Sequence, residues 1–222
     1  MPYTKSEICQ ILTSNGLPAD MEIDSEPPLG TNAAYYWTTD TLRLGPDAEL
    51  CTILHEAAHA EHYGKLNLRK NSANLVTNVI GLILASEVYV GQRLAELGGC
   101  IAEIRRRTPG KNFWDVAERL NHEQVFFQSF GEPGVFMQTR GFLMLTQLAT
   151  LLGAELQTGS TEFFGNMRAP FGVASALLET PLKTLRKIAE GHKLEDLTSF
   201  EALEQSIRNK AKMFKFDIIR FA

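Results

Sequence analysis

The chain is poor in the features that mark specialised scaffolds. Among its 222 residues only three are cysteine: Cys9, Cys51 and Cys100. They lie far apart and form no CxxC pair, so sequence neighbours can build neither a zinc ribbon nor a redox dithiol. So sparse and odd a set suits a reducing compartment, and the expectation is buried thiols. There is no basic excess either: 22 Lys+Arg against 26 Asp+Glu gives a net charge of −4. That excludes the basic stripe of a dedicated nucleic-acid binder. Long apolar runs are missing as well. The most apolar stretch, residues 79–85, stops at Ser86 and Glu87, far short of the ~20 residues that span a bilayer. The first fourteen residues lack a charged segment followed by an apolar one, so no secretory leader is expected. These absences point to a cytoplasmic protein with no nucleic-acid partner and no membrane partner, leaving leaderless secretion as an effector open. What remains, 44% hydrophobic and 22% charged residues, is ordinary for a globular protein with a sizeable core.

The pattern along the chain predicts an α+β fold, mainly helical, with a small N-terminal sheet. Residues 4–13 read as a short helix with Ile8, Ile11 and Leu12 on one side, closed by Asn15-Gly16. Residues 21–23, 34–38 and 41–44 are short and extended, the last two reading as a hairpin whose turn lacks the favoured glycine. Pro46 near a first helical position and Gly64 as a stop bracket a helix over 46–63. A second helical region is predicted over 75–107, where Gly81, Gly91 and Gly98-Gly99 signal breaks or close helix packing. Thr108-Pro109-Gly110-Lys111 is the best boundary, dividing a core of residues 1–107 from a helical region of residues 108–222. That second region reads as helices over 114–130, 135–152, 161–178, 181–189 and 199–214, with no chemical motif.

One motif stands above this background: His55-Glu56-Ala57-Ala58-His59, an H-E-x-x-H. With five histidines and nineteen glutamates in the chain, chance produces it about 0.01 times per sequence of this length and composition. Positions four apart share one helix face, ~5–6 Å between Cβ atoms, so two imidazoles there can converge on one Zn²⁺ at ~2.0–2.1 Å per bond. Glu56 projects to the helix edge, where it can act as general base on a water acidified by the ion.

A catalytic zinc takes a third protein ligand and keeps a fourth position open. His62 shares the face, but seven residues at 1.5 Å rise place it ~10 Å from His55 along the axis. It is therefore expected to be simply exposed, or to sit at the rim in contact with substrate. Glu87 is the expected third ligand. It interrupts the apolar run 79–90, where a lone ionised carboxylate is costly to bury and a cation offsets the cost. It also lies far enough after His59 for an antiparallel helix to return. Glu96 and Glu103 are held in reserve. A donor for the transition state is sought among Tyr89, Tyr63, His62 and His122, which sequence does not separate. His192 carries no motif.

These residues resemble the zincin metallopeptidases. The order helix, short strands, H-E-x-x-H helix and Glu-bearing helix looks like a minimal gluzincin core, with the ImmA/IrrE-type peptidases the nearest family. The resemblance covers roughly residues 1–107 and is specific at the motif alone. It implies Zn²⁺ on His55, His59 and Glu87 and Glu56 as catalytic base; His62 and Tyr89 stand as substrate or transition-state contacts on the reading of the residues alone. It further implies a protein or peptide substrate paired along residues 41–44, and internal rather than terminal cleavage. The thermolysin-like N-E-x-x-x-D pattern is broken at Ser86 and Gly91, so that family's aspartate behind the ligand is missing. The H-E-x-x-H-x-x-G-x-x-H extension is broken at His62 and Lys65. Glu87 with Val90-Gly91 also suits some short bacterial effector proteases. The alternative is a non-catalytic zinc-binding protein of the same fold, with residues 108–222 engaging a protein partner.

Overall fold

The computed structural model describes residues 3–26, 31–68, 79–98, 100–107 and 140–160. It is mainly helical with one small sheet near the N-terminus, the α+β architecture expected. Helix α1 (Lys5–Ser14) starts at Thr4, whose side chain accepts from the Glu7 amide while the Glu7 carboxylate accepts from the Thr4 amide. This capping box satisfies two of the donors a helix start leaves unpaired. The helix buries Ile8 and Leu12 and ends at Asn15, as the Asn15-Gly16 signal predicts.

Three strands follow: β1 (Glu22–Asp24), β2 (Ala33–Tyr36) and β3 (Thr41–Leu44). Their spatial order is β1-β3-β2, with β3 parallel to β1 and antiparallel to β2. The predicted hairpin is present. Its glycine-free turn works because Asp40 itself takes a left-handed φ of 57°, a conformation Asp tolerates better than most residues. The Tyr35 hydroxyl donates to the Asp40 carboxylate at 2.7 Å and fastens the turn. Leu42 and Leu44 are fully buried, in keeping with the central place of β3.

Helix α2 (Leu50–Lys65) differs from expectation at both ends. Pro46 and Asp47 form a turn before it, and Gly64 is one of its helical residues rather than its stop. The chain leaves the helix through Leu66 and then Asn67, which takes the left-handed φ of 52°. Helix α3 (Val79–Glu96) passes Gly91 unbroken. The break comes at Gly98, with φ of 77°, before α4 (Ile101–Arg107). Ile8 and Leu12 of α1, Ile23 of β1, Leu42 and Leu44 of β3, Ile53, Leu54, Ala57 and Ala58 of α2, and Val90 and Leu94 of α3 form one core. The motif helix is thus clamped between the sheet and α3.

Helix α5 (Arg140–Thr158) overlaps the predicted 135–152 helix and buries Leu145, Leu148, Leu151 and Leu152. It packs against α3 so closely that backbone meets backbone. A Cβ on Gly91 would stand 1.8 Å from the Thr150 carbonyl oxygen, and one on Gly153 would stand 2.0 Å from that of Val88. Only glycine allows this crossing. The proposed boundary at 108–111 and the helices predicted over 114–130, 161–178, 181–189 and 199–214 lie outside the described residues. Helix α5, however, is packed on the helix that carries Glu87. The cysteine expectation is corrected: Cys51 of α2 and Cys100 form a disulfide with Cα atoms 5.4 Å apart, and Cys9 is the free thiol.

Candidate metal centre

The i, i+4 spacing does what helical geometry requires and puts His55 and His59 side by side, their Nε2 atoms 3.2 Å apart. Glu87 enters from α3 and spans both. Its Oε2 lies 3.3 Å from His55 Nε2, and its Oε1 lies 3.3 Å from His59 Nε2. One ligand atom from each of the three residues falls within 4.8 Å of the others, a group that could hold a metal ion. The His55 side chain is 24% exposed against 9% for His59 and 11% for Glu87, so the open side of the group is at His55. Burial alone pushes the Glu87 carboxyl up. The charges and hydrogen bonds of His55 and His59 outweigh it and hold the group well below the usual carboxylate range.

Two hydroxyls the sequence did not single out as functional stand behind these residues. Ser86 Oγ is 2.8 Å from His59 Nδ1, and Thr150 donates to Glu87 Oε2 at 2.6 Å. Ser86 is fully buried and Thr150 nearly so. Ser86 directly precedes Glu87, and that adjacency was the available signal. Thr150 sits 63 residues from Glu87 on another helix and had none.

Glu56 stays outside the three-residue group and at the helix edge, as expected. Its Oε2 accepts the backbone N–H of Tyr35 at 2.9 Å, tying it to β2. This contact identifies the sheet edge beside the motif helix as β2. Residues 41–44 were expected there, but β3 is hydrogen-bonded on both sides and has no edge to offer.

His62 and Tyr89 are corrected in place. Both are fully buried, which denies them a rim position. Their rings stack with centroids 4.3 Å apart; His62 Nδ1 lies 3.0 Å from Ser86 Oγ, and the Tyr89 hydroxyl accepts from Lys65 at 2.7 Å. Tyr63 stacks on His59 at 5.6 Å and on Tyr35 at 6.2 Å, forming a wall of the site. Burial pushes its phenol well above its ordinary value; a hydrogen bond with Ser86 works against this, and the carboxylates of Glu87 and Glu56 add to it. Glu96 and Glu103 pair with Arg93 and Arg106 and take no part. His122 and His192 lie outside the described residues.

The chain matches no family model, no curated protein and no solved structure. Among the described residues no helix is long and apolar enough to cross a membrane.

Proposed function

We propose that this protein is a zincin-type, zinc-dependent metallopeptidase that cleaves within peptide chains. The observation that carries the proposal is the convergence of His55, His59 and Glu87 from two helices. Ligands ~2.0–2.1 Å from a tetrahedral ion lie ~3.3–3.4 Å from one another. The 3.2 Å between the imidazoles and the 3.3 Å from each to its nearer Glu87 oxygen agree with that spacing, and one atom from each residue lies within 4.8 Å of the others. Calcium takes six to eight oxygens at ~2.3–2.6 Å, a donor set unlike two imidazoles and one carboxylate. The residues therefore fit zinc, and three ligands with exposure on the His55 side leave room for a substrate atom.

A bound zinc ion supplies Lewis-acid polarisation of a carbonyl and lowers the pKa of water towards ~7. The chain's own groups do the rest. Tyr35 N–H holds Glu56 Oε2, which orients the carboxylate and leaves Oε1 to take the proton of the attacking water. Glu56 then returns that proton to the leaving amine. Strand β2, tied to the base by the same hydrogen bond, takes the place expected of residues 41–44 as the edge an extended substrate would pair with. The test compares the parent with Glu56→Gln on a peptide mixture read by mass spectrometry. Glu56→Gln should keep its zinc and lose cleavage by about 10²-fold or more. Full cleavage by the variant would overturn the mechanism.

A further inference from the structure

Ser86 stands between two imidazoles. His59 Nδ1 is 2.8 Å away and His62 Nδ1 is 3.0 Å away, and all three residues are buried. A serine hydroxyl has one hydrogen to donate and two lone pairs to accept with, so both contacts cannot run in the same sense unless that hydrogen goes elsewhere. Resting on the zinc site proposed above, the direction of each bond follows. A histidine that binds metal through Nε2 has no proton there, so its proton sits on Nδ1. His59 therefore donates to Ser86 Oγ. When the serine hydrogen goes on to His62 Nδ1, His62 carries its own proton on Nε2.

We propose that Ser86 and His62 form a buried relay that fixes the tautomer and ring orientation of His59, and so sets how tightly the centre holds its metal. His59 then has a hydroxyl behind its ring, and that hydroxyl is itself backed by an imidazole. The stack of His62 on Tyr89 at 4.3 Å, and the Lys65 contact to the Tyr89 hydroxyl at 2.7 Å, hold the far imidazole in register. Both are positioning residues, since neither reaches the open side of the group.

The experiment measures zinc affinity by chelator competition for the parent, Ser86→Ala and His62→Phe, alongside the unfolding midpoint of each metal-free protein. His62→Phe preserves a ring to stack on Tyr89 and removes both ring nitrogens, the Nδ1 that faces Ser86 among them. Loss of a partner behind a metal-binding histidine weakens affinity about 10–100-fold. Ser86→Ala should show that loss and His62→Phe a smaller one, with any fall in the metal-free midpoints reporting separately the cost of buried imidazole nitrogens left without that partner. In the zinc-loaded parent, ¹⁵N spectra of the imidazoles should put the His62 proton on Nε2, the signals being assigned by their absence from His62→Phe. Parental affinity in Ser86→Ala, or a His62 proton on Nδ1, would overturn the relay while leaving the zinc site standing. A parent that binds no zinc would overturn both. Should Ser86→Ala fail to fold, the His62 tautomer and the His62→Phe affinity decide alone.

Discussion

Replacing Gly91 by alanine tests whether α5 belongs to the site or merely leans on it. In an isolated helix the change is favourable by about 1 kcal/mol, because glycine loses more backbone freedom on folding. Here the new Cβ would stand 1.8 Å from the Thr150 carbonyl oxygen and 2.7 Å from its carbon, where real Cβ atoms keep at least 3.0 Å. Both partners are backbone, so no rotamer change relieves the clash, and the helices must part by 1.2 Å or more (3.0 less 1.8). A shift of that size takes the 2.6 Å Thr150–Glu87 bond out of hydrogen-bond range. Overpacking costs about 1–3 kcal/mol and a lost bond to a buried carboxylate about 1.5–3 kcal/mol. After the gain in propensity, the net loss is about 1.5–5 kcal/mol. For a chain of this length that lowers the melting temperature by roughly 3–20 °C. Gly64 is the control: it lies in α2 with nothing within 4 Å of a Cβ, so Gly64→Ala should stabilise by up to about 1 kcal/mol. Thermal and urea unfolding of the metal-free proteins read both. Opposite signs are expected; a Gly91→Ala protein as stable as Gly64→Ala would refute the close crossing.

Thr150→Val keeps the shape and removes the donor to Glu87; it should cost about 1.5–3 kcal/mol in the metal-free protein and weaken zinc binding, and unchanged values for both would remove α5 from the site. The Tyr63 phenol, raised by burial, holds its proton in the folded state where the unfolded phenol ionises near 10. Above that pH the folded state binds more protons, so stability falls as pH rises, by up to about 1.4 kcal/mol per unit. Tyr63→Phe should flatten that fall in denaturant melts at pH 10–12, and an unaltered slope would contradict the burial. The Cys51–Cys100 disulfide closes a segment of 49 residues, worth about 4 kcal/mol by chain entropy. Alkylation of the denatured protein should therefore label one thiol without reductant and three with it, and reduction should lower the melting temperature.

The N-terminal half was largely legible because its signals are local. The Thr4 and Asn15-Gly16 ends of α1, the β-rich 41–44 segment and the i, i+4 histidines all act within a few residues. Glu87 was legible for another reason, as a carboxylate inside an apolar run that needs a counter-charge. What escaped depends on contacts between distant segments. The parallel pairing of β1 with β3 moves residues 41–44 from the edge to the centre of the sheet. Gly91 reads either as a break or as a close helix contact, and only Thr150 against it decides for the contact. His62 lies on the motif face, yet Ser86 and Tyr89 arrive from α3 to bury it. Three cysteines allow three pairings, and only the proximity of α2 to the start of α4 selects Cys51 with Cys100.

The most direct test of the account is the zinc content of the purified protein by elemental mass spectrometry, with Glu87→Ala prepared in parallel. One zinc per chain in the parent and its loss from the variant is the predicted result. Zinc retained by Glu87→Ala would contradict the three-ligand centre, and a parent that takes up no zinc when it is supplied would contradict the metallopeptidase proposal itself.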